Sequence, residues 1–250
     1  NSEIRKKIKR IKKQKKIFNP THQNSILSKL NFKLTNDQKK TLDELNEDLK
    51  SNQKMFRLLQ GDVGSGKTIV ALTAAYNVIK SGFQVAVMAP TEILARQHYN
   101  LAKKIFDQNI NIEILSGKSD YKDKKIINNK LANNNIDIIF GTHAIFQKKI
   151  TFYKLGLIII DEQHKFGVNQ RKRLSDKGGD NCDVLLMSAT PIPRTLTMTI
   201  YGDMDLSIIR EKPKSRKEVK TYSKLENKID DILDFIKKEI NNGNQIFWVC

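Results

Sequence analysis

Gly61-Asp62-Val63-Gly64-Ser65-Gly66-Lys67-Thr68 is the stretch on which the reading of this chain turns. It matches G-x-x-x-x-G-K-[ST] at every fixed position, with a β-type apolar run before it and an amphipathic helical pattern after it. The glycines let the backbone curl so that successive N–H groups face a phosphate, and the following helix adds its positive end at the same point. Lys67 is then placed to reach β- and γ-phosphates, and Thr68 to ligate Mg²⁺. The competing reading, a plain Gly-rich strand-to-helix turn, is set aside by motif and context together.

Downstream, Leu157-Ile158-Ile159-Ile160 runs into Asp161-Glu162, so a buried strand delivers two carboxylates to a sheet edge. Two adjacent acids at a strand end also arise by chance. With a phosphate loop upstream they gain a purpose: the metal needs a second protein anchor, Asp161, and the attacking water needs a polarising base, Glu162. On the other side of the loop, Phe32-Lys33-Leu34-Thr35-Asn36-Asp37-Gln38 opens a helix in which Thr35 and Gln38 fit a capping box. The Gln38 amide both donates and accepts, so it also suits an adenine edge. Both readings stay open.

From Thr35 onward, helical stretches alternate with short apolar runs. The runs are Met55–Gln60, Gln84–Ala89, Asn111–Leu115, Ile136–Phe140, Leu157–Asp161, Val184–Ser188 and Leu206–Ile209. Alternating β and α elements predict an α/β fold, a parallel sheet covered by helices on both faces, with ligands at the carboxyl ends of its strands. Residues 1–29 read as a basic linker helix and connection, and residues 30–210 as the nucleotide-binding domain. After the hinge-like Glu211–Arg216, residues 211–250 read as the start of a second domain, with a helix near Leu225–Ile240 and a β-type run Ile246–Cys250. Asn1 in place of Met, and an apolar run with no turn after it, make both ends look cut.

Nine of the first sixteen residues are Lys or Arg, with Ile4, Ile8 and Ile11 at helical spacing, which predicts a solvated amphipathic helix or a phosphate-facing arm. The formal charge of +18 would attract a polyanion. Lys, Asn and Ile are abundant throughout, however, and such a composition raises charge without creating a binding face. Cys182 and Cys250, the only cysteines, have neither metal-ligand spacing nor the density of a disulfide scaffold. The longest aliphatic stretch, Leu155 to Ile160, is far short of the ~18 residues a membrane span needs. The expectation is a cytoplasmic protein with no membrane segment.

The phosphate loop, Asp161-Glu162-Gln163-His164 and Ser188-Ala189-Thr190 together resemble motifs I, II and III of superfamily 2 helicases. Between them, Ala89 to His98 and Gly141-Thr142-His143-Ala144 resemble the segments that touch the nucleic-acid backbone in that superfamily. Within it the chain is most similar to the bacterial RecG helicases, through DEQH-x-FGV-x-QR (Asp161 to Arg171), ATPIPRTL (Ala189 to Leu196) and YGDMD (Tyr201 to Asp205). The transcription-repair coupling translocases share part of this, but Gln163-His164 favours RecG. Ser188 stands where RecG proteins often carry threonine, and keeps the hydroxyl.

The resemblance implies a RecA-like lobe of a P-loop NTPase, the start of a second such lobe, and ATP-driven movement on branched DNA in repair and recombination, by a motor that is monomeric. It implies ATP and Mg²⁺ as cofactors, with Lys67 and Glu162 catalytic and Gly61 to Thr68 around the phosphates. It implies a coupling role for Gln163, His164, Ser188 and Thr190, and DNA-backbone contacts for Pro90, Thr91, Arg96, Thr142 and His143. Several of these have plain structural alternatives: Thr91 as a helix N-cap, His143 as an ordinary loop histidine, and Ser188 and Thr190 as the end of a strand before Pro191 and Pro193. In the superfamily a second lobe supplies the arginines that stabilise transition-state charge, so this lobe alone is expected to bind Mg-ATP weakly and turn it over poorly. Two other functions compete: a coupling-type duplex translocase, and a non-motor ATP-gated DNA clamp.

Overall fold

Side chains alternate across a β-strand, and a run such as Leu157-Ile158-Ile159-Ile160 with no polar member can be stable only if both faces are covered. The computed structural model, which describes residues 12–117, 120–147, 149–161, 179–190, 204–212 and 221–249, shows that arrangement. Leu157 and Ile159 enter one core with Leu59, Val85, Val87, Phe140, Leu185 and Met187. Ile158 and Ile160 enter a second core with Leu58, Ala86, Met88, Ile139, Val184 and Leu186. Each fully buried Leu or Ile stabilises the fold by about 1.5–3 kcal/mol relative to exposure.

The strands are β1 (Phe56–Gly61), β2 (Gln84–Met88), β3 (Ile112–Leu115), β4 (Ile138–Gly141), β5 (Leu155–Ile160), β6 (Asp183–Ser188) and β7 (Asp205–Ile209). They form one seven-stranded sheet in the order β3-β4-β2-β5-β6-β1-β7. Every pairing is parallel. All seven predicted runs are strands, with ends shifted by one or two residues.

Among the described residues, the α-helices of the same part of the chain are α1 (Pro20–Ser28), α2 (Asn36–Lys50), α3 (Lys67–Lys80), α4 (Glu92–Ile105) and α5 (Tyr121–Ala132). α3 is apolar around nearly its whole circumference and is buried from Ile69 to Ile79, as its sequence requires. Its small residues Ala71, Ala74 and Ala75 admit close neighbours, and α1 and α2 pack against it. α4 packs on β3 and β4 through a stripe of Ala95, His98, Ala102 and Ile105. α2 is tied to the sheet by Arg57, whose guanidinium donates to Asp48 (2.7 Å), Glu44 (3.3 Å) and the Ser207 hydroxyl (2.9 Å).

Two expectations are corrected. Lys12–Lys16 do not form the solvated basic helix: Lys12 makes an isolated antiparallel bridge with Gln53, and the chain runs on without helix to Asn19. Lys13 and Lys16 turn inward to Asp183, and all three side chains are fully buried (0% exposed). A buried carboxylate shared by two ammonium groups, whose further donors meet the carbonyls of Asp48 and Asn181, outweighs the helical preference of a local sequence. Residues 4, 8 and 11, which carried the helical spacing, lie outside the described residues.

The second correction concerns the apolar run at 246–249, which is exposed and forms no strand. Strand propensity yields a strand only where another backbone accepts the ladder bonds. The chain divides after Pro213, and the second unit holds a 3₁₀ turn (Glu226–Lys228) and helix α6 (Ile229–Asn241), near the predicted helix. α6 is amphipathic, with Ile229, Leu233, Phe235 and Ile240 exposed. Among the described residues no helix is long and apolar enough to cross a membrane.

Candidate nucleotide and nucleic-acid site

The phosphate loop leaves the carboxyl end of β1 and turns into α3 through two glycines in the left-handed region, Gly64 (φ 77°) and Gly66 (φ 87°). At Gly66 the conformation is reinforced by crowding: a Cβ there would lie 2.3 Å from Gln38 Nε2. The first turn of α3 has no acidic residue and no side-chain cap, so its N–H groups and positive end face the loop. Lys67 is buried and folded back over the loop, donating to the carbonyls of Gly61 (2.6 Å) and Asp62 (3.1 Å). Asp62, Val63 and Gly64 are exposed at the tip, and Thr68 is half-buried in the first turn of α3. Lys212 makes an exposed ion pair with Asp62 (2.9 Å).

Ser65 is the exception to polar satisfaction in this loop. It is fully buried, yet its hydroxyl has no hydrogen-bond partner. Around it, Gly64 and Gly66 add no side chains to the loop while α3 turns its positive N-terminus toward it, an arrangement shaped for an oxyanion. That fit holds for a nucleoside triphosphate. For Mg²⁺, the two candidate oxygens are the Thr68 hydroxyl and the Asp161 carboxylate at the end of β5, hard ligands of the right kind. Among the described residues there is no group of three or more His, Cys, Asp and Glu side chains that could enclose a metal on its own.

Gln38 is 1% exposed and its amide is committed within the chain. Oε1 accepts from Thr35 N (2.9 Å), Thr35 Oγ1 accepts from Gln38 N (3.3 Å), and Nε2 donates to the Ser65 carbonyl (2.7 Å). The capping box is therefore present, and the same side chain holds the phosphate loop from outside. Asp37 completes the anchor: its carboxylate accepts the backbone N–H groups of Arg210 (2.8 Å) and Glu211 (3.0 Å). Those backbone donors, Glu211's first, hold the Asp37 carboxyl below the usual carboxylate range.

Asp161 is 8% exposed. Its backbone N–H donates to Met88 O (2.8 Å), and its Oδ2 meets His98 Nε2 at 2.7 Å. His98 carried no role in the sequence reading, although it ends the Ala89–His98 segment. The available signal was its position in the α4 stripe, three residues after Ala95 and four before Ala102, where a core helix ordinarily places an aliphatic side chain. Glu162, Gln163 and His164 lie outside the described residues, as do Phe166–Arg171 and Pro191–Leu196.

Ser188 ends β6 and Thr190 follows it, beside the loop-bearing β1. Gln60 and Ser188 are in register, the Gln60 amide donates to Thr190 O (3.3 Å), and the two hydroxyls are 3.0 Å apart. The expected nucleic-acid contacts fall on neighbouring strands. Pro90 and Thr91 follow β2, Thr142 and His143 follow β4, and the strands are joined at this end by Ala89 N to Gly141 O (2.9 Å). Thr91 is the N-cap of α4, accepting from Leu94 N (3.3 Å), and it is exposed, as are Arg96 and His143. Thr142 is buried. The carboxyl edge of the sheet thus has two zones, one over β5, β6 and β1 with the phosphate-site residues, and one over β2 and β4.

Comparison with known proteins gives the lineage. Over 90% of the chain, the RecG helicases of Borreliella burgdorferi and Bacillus subtilis, each described as an ATP-dependent DNA helicase, are 47% identical to it. The chain spans about a third of the length of these relatives (33% of each). A RecG solved bound to a three-way DNA junction superposes with a TM-score of 0.85, at 40% identity over 97% of this chain and 33% of that one. The DEAD-box helicase Mss116, solved with single-stranded RNA and UDP-BeF, shares the fold at a TM-score of 0.64 and 20% identity, over 90% of this chain and 51% of that one. Residues 35–199, from the Gln38 capping box to beyond Ser188-Ala189-Thr190, match the DEAD/DEAH box helicase family, and the chain belongs to it.

Proposed function

We propose that this chain is the ATP-binding lobe of a RecG-type motor that moves on branched DNA in repair and recombination. The observation that carries the reading is the shared carboxyl edge, where the phosphate loop and the strand ends of the backbone-contact motifs stand on one rigid sheet. The likeness to RecG helicases, one of them solved on a three-way junction, supports DNA branches as the substrate. The proposed setting is the cytoplasm, and the proposed motor is monomeric.

In this reading the α3 N-terminus and the backbone of Gly61–Gly66 bind the triphosphate. Lys67 exchanges its bonds to Gly61 and Asp62 for β- and γ-phosphate oxygens. Thr68 and Asp161 would hold Mg²⁺, whose chemistry there would be neutralisation of phosphoryl charge. Glu162 takes the proton of the attacking water. Gln38 fixes the loop through Ser65, and to read an adenine edge its amide would exchange the bonds it makes to Thr35 and Ser65. Gln163, His164, Ser188 and Thr190 relay the change. Pro90, Thr91, Arg96, Thr142 and His143 position the DNA backbone without reading its sequence.

The test is steady-state ATP hydrolysis by the full-length protein on forked, linear duplex and single-stranded DNA. Preferential stimulation by forks, lost in Lys67→Ala and Glu162→Gln, is expected. Equal rates on every DNA would withdraw the branched-DNA assignment, and no stimulation by any DNA would favour a clamp.

A further inference from the structure

α4 presents Ala95, His98, Ala102 and Ile105 to the protein interior, and His98 is the polar member of that stripe. It is 7% exposed, and its Nε2 lies 2.7 Å from Oδ2 of Asp161. An ionised carboxylate only accepts, so the imidazole nitrogen that meets it carries the proton and donates. The partner's main chain is fixed as well, through Asp161 N to Met88 O (2.8 Å). One continuous segment, Met88 to His98, therefore grips Asp161 at both backbone and side chain. The same segment contains Pro90, Thr91 and Arg96. From the exposed Thr91 cap to the buried His98 is about 10 Å of helix axis, at 1.5 Å per residue.

We propose that His98 is a positioning residue for the metal carboxylate, and that α4 links the nucleic-acid face to it as a rigid lever. The proposal rests on the reading that Asp161 faces Mg²⁺ and that Thr91 faces DNA. A carboxylate ligand works only when its oxygens are oriented, and groups that hydrogen-bond to ligands are worth about 10–100-fold in metal affinity. His98 supplies that restraint through a rigid ring on a helix that cannot shift without moving its own N-cap. A strain at Thr91 therefore reaches the carboxylate with no intervening flexible side chain. A buried histidine that merely filled space would have left the orientation of Asp161 to other groups.

The experiment uses the full-length protein with His98→Leu, which removes the donor, and His98→Gln, whose amide N–H restores one at a similar reach. Binding of a fluorescent ATP analogue is measured in EDTA and then across a Mg²⁺ titration, with and without forked DNA. His98→Leu should raise half-saturating Mg²⁺ by about 10–100-fold, leave binding in EDTA at the wild-type level, and abolish the effect of DNA on the Mg²⁺ curve. His98→Gln should return the midpoint to within a few-fold of wild type. The proposal is overturned if His98→Leu has the wild-type Mg²⁺ midpoint, if it weakens binding equally in EDTA, or if His98→Gln behaves like His98→Leu. A wild-type protein with no Mg²⁺-dependent binding at all would instead remove the underlying reading of the site.

Discussion

Replacing Asp183 by Asn should loosen one specific part of the lobe, and the structure sets the size of the effect. The Asp183 carboxylate accepts Lys13 Nζ at 2.8 and 2.6 Å, Lys16 Nζ at 2.7 Å and Met55 N at 2.7 Å. Asn keeps the shape and can still accept from Met55, but it leaves two buried ammonium groups without a counter-charge. Removing one partner from a buried ion pair costs about 3–5 kcal/mol. The alternative is to peel the segment carrying Lys13 and Lys16 off the sheet.

Peeling loses Lys13 N to Asn52 O, Lys16 N to Leu49 O and the burial of Phe18. At about 1 kcal/mol per hydrogen bond and about 2 for the ring, those contacts are worth about 4 kcal/mol before the chain entropy regained is subtracted, so peeling caps the loss below about 4 kcal/mol. Urea denaturation and hydrogen exchange over residues 12–18 together measure whichever route is taken.

The loss should also depend on pH. Burial, the largest influence, already holds Lys13 below its ordinary range even with Asp183 present. An amine whose folded pKa is lowered binds fewer protons folded than unfolded, so its penalty is full below the folded pKa and shrinks as pH rises from there to the ordinary lysine value. The triple change Lys13→Met, Lys16→Met, Asp183→Leu should recover most of the stability. Asp183→Asn with a loss below about 1 kcal/mol and unchanged exchange at 12–18 would refute the argument.

Two further predictions concern the loop and the acid limit. Gly66→Ala combines a left-handed φ with a Cβ 2.3 Å from Gln38 Nε2, so nucleotide-analogue binding should be abolished; Gln38→Ala in the same chain should relieve the contact but not the backbone strain, giving at most partial recovery by titration fluorescence. Asp107 accepts from Lys29 and Tyr76 and lies near Lys80, and these partners, Lys29 foremost, hold its carboxyl down at about 2. A carboxyl lowered in the folded state stabilises fully above its unfolded value and loses that contribution as pH falls through the folded one. Asp107→Asn should therefore cost about 1 kcal/mol at pH 7, discounted for partial exposure, and flatten the stability profile between pH 4 and 2; parallel wild-type and variant acid curves would contradict this.

The architecture was legible because its signals are local. Apolar runs bounded by helical patterns gave all seven strands, and the phosphate loop fell between the first of them and the helix that needs its glycines. What escaped depends on distant partners. Lys13 and Lys16 read as solvated because their counter-charge lies 170 and 167 positions away. The Gln38 capping box could be seen over three residues, but its bond to Ser65, 27 positions off, could not. His98 stood in view inside a quoted motif; only the fold, which sets Asp161 beside it from 63 positions away, gave it a task. The run at 246–249 misled in the opposite sense, since its residues favour a strand while none of the described residues pairs with it.

The sheet order also governs when the phosphate loop can exist during synthesis. β1 is among the first strands made, yet its neighbours are β6 and β7, the last two. The Met55–Asp183 bond that starts the β1–β6 ladder closes a loop of 128 positions, an entropic charge met before any long-range contact repays it. Until residue 188 has been added, β1 has neither ladder partner, and until residue 209 it has only one, so the backbone that should cradle a phosphate hangs from a strand with at least one unpaired edge. A nascent chain stalled before residue 188 should be blind to nucleotide and prone to wrong edge pairing, and the second ladder follows only with β7. On the proposed reading, competence to bind nucleotide is thus delivered late, as a property of the completed sheet rather than of the glycine-rich segment that first announces it.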